Sequence, residues 1–167
     1  MPQLILVRHA KSDWGEPGLR DHDRPLNARG ERDAPVLAAR LAVARDADPD
    51  AFGIARVLSS TAQRARSTAE HFGAALGIPV EFDEALYLAP AETLLATAAA
   101  ANVDGVLLVA HDPGISGLAH RLSSGGIDRM PTCAVARFAW RGGTWAEAIT
   151  RPAEAWSVDA PREGRRG

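Results

Sequence analysis

Four consecutive apolar residues, Leu4-Ile5-Leu6-Val7, run straight into Arg8-His9-Ala10-Lys11. An unbroken apolar run of this length, half of it β-branched, suits a strand covered on both faces of a sheet. In open α/β sheets ligands bind outside the C-terminal ends of the strands. A cation and an imidazole at that boundary are therefore better placed for chemistry than for packing. An Arg-His pair alone reads first as a surface arginine and a capping histidine, so the weight comes from the rest of the chain.

The chain alternates strand and helix signals. A polar loop from Lys11 to Pro25 follows the first strand and carries the cluster Arg20-Asp21-His22-Asp23-Arg24. Asn27 reads as an N-cap, and Leu37 and Leu41 space a helix to about Ala44. Pro35 within it either kinks that helix or marks the start of its regular part. Ile54 to Leu58 reads as a second strand, with Ser59-Ser60-Thr61 as caps for a helix from about Ala62 to Leu76 closed by Gly77. Ile78 to Phe82 is a short third strand, followed by the turn Asp83-Glu84-Ala85-Leu86-Tyr87 and a helix over Thr93 to Ala101. Val106-Leu107-Leu108-Val109 repeats the design of the first strand and ends in Ala110-His111-Asp112-Pro113-Gly114, opening a helix through Leu122. Ala134 to Trp140 and Thr144 to Ile149 read as an edge hairpin around Gly142-Gly143. From Arg151 onward the chain is polar and is expected to fray.

These signals predict one α/β domain over residues 1–150 with a polar tail over 151–167. The architecture expected is a three-layer α/β/α sandwich around a mainly parallel sheet with an edge hairpin strand. Composition narrows the function classes. Lys and Arg total 19 against 21 Asp and Glu, a net charge of -2, and aromatics are only 5%, so neither a nucleic-acid surface nor a membrane surface is expected. Cys133 is the one cysteine, which excludes an internal disulfide and leaves no ligand-spaced partner for zinc. No stretch approaches the roughly 20 apolar residues of a membrane span, and the first apolar run is short for a signal peptide, so a cytoplasmic location is expected. A monomer is the expected state, although nothing in the sequence fixes it.

A parallel sheet brings Arg8 and His9, Ser59 to Arg64, and His111 to one edge. As a set, two histidines and two arginines are poor metal ligands, because the arginines repel a cation. They suit a phosphoryl group: guanidinium groups bind its oxygens bidentately, and a neutral imidazole nitrogen can attack phosphorus in line. A cation such as Arg64 near a helix N-terminus opposes the macrodipole and calls for a bound anion or for solvent. The cluster Asp21-His22-Asp23 is a poor metal site, since adjacent residues rarely share one ion.

With these residues in view, Arg8-His9-Ala10-Lys11 resembles the Arg-His-Gly or Arg-His-Ala signature of the histidine phosphatase superfamily, which includes the cofactor-dependent phosphoglycerate mutases. Arg24-Pro25-Leu26-Asn27-Ala28-Arg29-Gly30, Ser59-Ser60-Thr61-Ala62-Gln63-Arg64-Ala65 with Thr68-Ala69, and Val109-Ala110-His111-Asp112-Pro113 match its later blocks in order, from Leu4 to Leu122. The short chain, without a large inserted cap, is most similar to SixA-type phosphohistidine phosphatases. The resemblance implies a phosphoglycerate mutase-like fold, a phosphohistidine intermediate on His9, and a phosphoryl group held by Arg8, Arg64 and His111. It places Arg24 near the pocket. It implies no metal and no other cofactor, and a phosphorylated protein or small phosphorylated molecule as partner. Where relatives often have Gly-His-Asn-Pro, this chain has Ala110-His111-Asp112-Pro113, so Asp112 is assigned to capping the helix.

The general acid stays open. Many relatives place a Glu after the third strand, where Glu84 is the nearest candidate, whereas a solvated turn residue is the alternative. An alkoxide needs protonation as it leaves, but an imidazole, with a pKa near 6.5, departs with much less help. The expected activity is thus a metal-independent phosphatase acting on protein phosphohistidine. The alternatives are a small-molecule phosphomonoesterase and a non-catalytic module that binds a phosphorylated ligand.

Overall fold

Side chains alternate along a strand, so Leu4 and Leu6 enter one core while Ile5 and Val7 enter another on the opposite face of the sheet. Val106 and Leu108, against Leu107 and Val109, divide in the same way. The computed structural model describes residues 1–162. Its six-stranded sheet comprises β1 (Gln3–Arg8), β2 (Arg56–Ser59), β3 (Val80–Phe82), β4 (Gly105–Ala110), β5 (Val135–Ala139) and β6 (Ala155–Asp159), in the spatial order β3-β2-β4-β1-β5-β6. The pairs β3·β2, β2·β4 and β4·β1 are parallel, and β5 runs antiparallel to both β1 and β6.

Helices α1 (Ala28–Ala47) and α2 (Gln63–Leu76) cover one face through Leu37, Leu41 and Phe72. Helices α3 (Ala91–Ala99) and α4 (Gly114–Leu122) cover the other through Leu94, Leu95, Ile115 and Leu118. Each such fully buried aliphatic or aromatic side chain contributes roughly 1.5–3 kcal/mol. The three-layer α/β/α architecture expected from the alternation of signals is the one observed.

Local chemistry sets the elements that carry the site. The Asn27 side chain accepts a hydrogen bond from the Gly30 N–H at 2.9 Å and starts α1, which then runs unbroken through Pro35. Pro35 therefore does not begin the regular helix. A Cβ on Gly30 would lie 2.2 Å from the Lys11 carbonyl oxygen, so only glycine lets the first turn of α1 approach the loop after β1 this closely. The Asn27 and Asp13 N–H groups donate to the Lys11 and Pro25 carbonyls at 3.0 and 2.8 Å, which straps that loop to the segment holding Arg24. Gly77, at φ +70°, ends α2 in the left-handed conformation.

Three expectations fail. Thr144 to Ile149 is not a strand: α5 (Trp145–Ala148) starts there with a capping box, in which Thr144 Oγ1 accepts from the Glu147 N–H and the Glu147 carboxylate accepts from the Thr144 N–H. The partner of β5 at the sheet edge is instead β6, inside the stretch expected to fray from Arg151. Every residue of β6 is exposed, so it lacks the apolar pattern that marks a half-buried strand. The basic end over 163–167 lies outside the described residues. Ser59-Ser60-Thr61 also do not cap α2 as expected, because Ser59 completes β2 and Ala62 precedes the helix with no side-chain cap.

Gly30→Ala is expected to lower stability by roughly 1–3 kcal/mol through overpacking against Lys11, read from urea unfolding. An unchanged midpoint would show that the loop moves aside at no cost.

Candidate active site

Parallel pairing puts three strand ends in step. Arg8 lies opposite Ala110 and Ser59 opposite Val109. The ladder continues past the strands, with His9 N–H donating to Ala110 O at 3.1 Å and Ser60 N–H to Val109 O at 3.0 Å. The His9 and His111 rings are consequently neighbours, with centroids 5.2 Å apart. Thr68 Oγ1 accepts from the Ala10 N–H at 3.0 Å and donates to Arg64 O at 2.8 Å, tying the end of β1 to the first turn of α2. Arg8, His9, Arg24, Arg64, His111 and Asp112 line one cavity of about 230 Å³, with Lys11 and the exposed Trp14 and Leu88 among its walls.

His9 is 7% exposed, and its Nδ1 lies 2.7 Å from the Ala10 carbonyl oxygen. A carbonyl only accepts, so this contact requires Nδ1–H and leaves the lone pair on Nε2. Burial pushes the His9 pKa down to about 4; the charges of Arg64, Arg8 and Arg24 act the same way, against the Ala10 bond. Burial likewise pushes His111 down to about 3, helped by His9, Arg64 and Arg8 and opposed by Asp21. Both rings are neutral at pH 7.

The arginines are held by their outer edges. Arg64 Nη1 and Nη2 donate to the backbone oxygen and carboxylate of Asp21 at 2.7 and 3.0 Å. Arg24 reaches the same carboxylate through Nε and Nη2, and Ser12 Oγ through Nη1 at 2.7 Å. The guanidinium of Arg24 also stacks on the Trp14 ring, 3.5 Å from its centroid. Tyr87 OH donates to Asp21 Oδ2 at 2.5 Å. Burial alone would raise the Asp21 pKa, but the hydrogen bonds from Tyr87, Arg24 and Arg64 outweigh it and hold the carboxyl below the usual range. Arg8 Nη1 donates to Met130 O at 3.0 Å and lies 3.3 Å from Asp112 Oδ2.

Arg8 Nε, Arg64 Nε and His111 Nδ1 are buried and have no hydrogen-bond partner. An unpaired buried polar group costs about 1–3 kcal/mol, more when charged, so three of them around one cavity call for an acceptor with several oxygens.

The structure thus gathers His9, Arg8, Arg64, His111 and Arg24 at one cavity. Glu84 is not among the lining residues: it is exposed on a 3-10 turn (Glu84–Leu86). Asp112 is not itself the N-cap of α4, which is Pro113 without a side-chain cap; it stands one residue earlier, accepts from the Ser116 N–H and hydroxyl, and its second oxygen faces Arg8. Asp21, His22 and Asp23 turn to separate partners, namely the arginines, Thr61 Oγ1 and Arg20 Nε. Among the described residues no three His, Cys, Asp or Glu side chains gather as metal ligands. Asp21 and Tyr87 are the contributors that sequence reasoning missed, the one trace of them being an acidic residue three positions before Arg24; Ser60 was expected at this edge, but not its bond to His111.

Residues 4–87 match the family model of the histidine phosphatase superfamily, branch 1. An uncharacterized protein of Mycobacterium leprae is 34% identical over 170 residues, which span 93% of this chain and 100% of the relative. A crystal structure assigned as a phosphohistidine phosphatase SixA of Agrobacterium tumefaciens aligns with a TM-score of 0.75 at 30% identity, covering 96% of this chain and 99% of that one. The protein histidine phosphatase SixA in complex with tungstate aligns with a TM-score of 0.68 at 26% identity over 83% and 88% of the two chains. The chain belongs to the histidine phosphatase superfamily. Within it the chain is a phosphatase with a SixA-like fold. Among the described residues no helix is long and apolar enough to cross a membrane.

The two depressed histidine pKa values predict a pH dependence of stability. Above the ordinary value of 6.5 neither folded nor unfolded chain carries these protons. As the pH falls below that value the unfolded chain takes them up first, so stability drops progressively until the folded rings titrate near 4 and 3. The low Asp21 pKa adds a further loss that begins only as the pH falls through the usual carboxylate range, where the unfolded carboxyl takes up its proton first. Urea midpoints should therefore fall between pH 6.5 and 4 in the wild type and fall much less in a His9→Gln, His111→Gln double variant. Parallel profiles for the two proteins would contradict the buried neutral pair.

Proposed function

We propose that the chain dephosphorylates phosphohistidine in proteins through a phosphorylated intermediate on His9. The observation that supports this reading is that Arg8, Arg64 and His111, each with a buried side-chain nitrogen that has no hydrogen-bond partner, line the cavity that holds His9. A phosphoryl group offers an oxygen to each. His9 Nε2 attacks phosphorus as the bond from phosphorus to the substrate's imidazole nitrogen breaks. The electron pair stays on that nitrogen, and because the ring's other nitrogen already carries a proton, the ring leaves as neutral imidazole without drawing a proton from the site. Water then attacks phospho-His9, inorganic phosphate leaves, and the His9 imidazole is restored. Charge that develops on the phosphoryl oxygens meets groups already fixed in place, so little reorganisation is needed at the moment of transfer.

The choice of leaving group rests on the acids. Asp21 is held ionised by Tyr87, Arg24 and Arg64, Asp112 is paired with Arg8, and Glu84 faces solvent. Among the described residues none of these three carboxyl groups is placed as a proton donor at the cavity, which favours a departing imidazole over an alkoxide. The SixA neighbours support the same substrate class. The fold alone is shared with a mycobacterial glucosyl-3-phosphoglycerate phosphatase at 17% identity, so a small phosphorylated metabolite is the competing substrate in the test.

Steady-state rates on a phosphohistidine peptide should exceed those on an alkyl phosphate by roughly 10²-fold or more in kcat/KM, with an aryl phosphate in between. Glu84→Gln should leave all three unchanged, and a selective loss on the alkyl phosphate would restore Glu84 as the acid. Arg64→Ala should lower kcat/KM by roughly 10²–10³-fold, by analogy with removing a preorganised donor. His9→Ala should abolish turnover and acid-labile labelling of the protein, and a labelled His9→Ala protein would place the nucleophile elsewhere.

A further inference from the structure

Ser60 is fully buried just beyond β2, and its hydroxyl oxygen lies 2.7 Å from His111 Nε2. The same oxygen accepts from the Ala62 N–H at 3.3 Å. A neutral imidazole has one N–H and one lone pair, and a free ring samples both tautomers. Two arrangements are therefore conceivable at this contact. If His111 Nε2–H donated to Ser60, the serine proton would have no acceptor among the described residues. Nδ1 would then be a buried lone pair with no donor to it, on a ring that lines the cavity, and would repel an oxyanion bound against it. If the Ser60 hydroxyl donates to Nε2 instead, its proton is used and its oxygen still accepts from Ala62. Nδ1 then carries the hydrogen and becomes a donor, in keeping with its position beside Arg8 and Arg64 in the cavity lining.

We infer that Ser60 is a positioning residue which locks His111 in the Nδ1–H tautomer, so that a bound phosphoryl oxygen meets a hydrogen-bond donor. The inference rests on the reading that the cavity takes a phosphoryl group. Burial keeps His111 neutral at pH 7, where the tautomer, not a second proton, decides what the ring presents. The resulting relay runs from Ala62 N–H to Ser60 hydroxyl to His111 and into the cavity, and each bond polarises the next. Backbone register builds it: the Ser60 N–H pairs with Val109 O, which sets the serine beside the residue that follows Ala110.

Nitrogen-15 NMR of the free protein at pH 7 reads the tautomer directly. His111 is expected to show a protonated Nδ1 and a bare Nε2 in the wild type, and a mixture of tautomers in Ser60→Ala. Tungstate should bind Ser60→Ala roughly 10-fold more weakly, the scale of one hydrogen bond to a charged group. In a His111→Ala background the ring through which Ser60 acts is gone, so Ser60→Ala should then cost less than about 2-fold, the non-additivity expected of coupled residues. A bare Nδ1 in the wild type would overturn the inference, and so would equal losses in the two backgrounds, which would mark Ser60 as merely structural. If Nδ1 is protonated but the wild type binds no tungstate, the phosphoryl reading fails and the donor role fails with it. Should Ser60→Ala not fold, the wild-type spectrum still decides.

Discussion

The site depends on the register of three parallel strands. Because β1, β4 and β2 pair with their C-terminal ends level, His9, His111 and Ser60 arrive side by side from positions far apart in the chain. A slip of one residue in any of these pairings would turn the following side chain to the opposite face. The apolar runs that end at Arg8 and Ala110 resist such a slip, since each is buried on both sides and supplies both cores.

That edge then has to tolerate several positive charges beside two uncharged rings. Asp21 and Asp112 make this possible without filling the cavity. Each carboxylate takes Nη atoms of an arginine, or Nη and Nε atoms in the case of Arg24, and leaves the Nε of Arg8 and of Arg64 without a partner. The carboxylates offset the repulsion among the guanidinium groups and fix their planes, while burial keeps both imidazoles neutral. The result is a cradle of donors around a ring with a free lone pair, which is the complement of a phosphoryl group under attack.

Much of this was legible in the chain itself. Runs covered on both faces have an unmistakable pattern, so β1 and β4 and the residues at their ends could be read directly, as could helices marked by Asn27 and Gly77. Where burial leaves no pattern the reading fails: β6 is wholly exposed, and the Thr144–Glu147 capping box was passed over in favour of a hairpin. Within the site, the arginines and histidines stand in sequence blocks, whereas Asp21, Tyr87 and Ser60 act through partners 43, 66 and 51 residues away. Only the folded chain shows that Tyr87 faces Asp21 while Glu84, three residues earlier, faces solvent.

The most direct test of this account is a crystal structure with vanadate, which takes up the geometry of a phosphoryl group in transfer. Vanadium bonded to His9 Nε2, with oxygens within hydrogen-bond distance of Arg8 Nε, Arg64 Nε and His111 Nδ1, is the predicted result. Vanadate bound through Lys11 or Arg24 alone, with those three donors still unpartnered and no bond to His9, would contradict it.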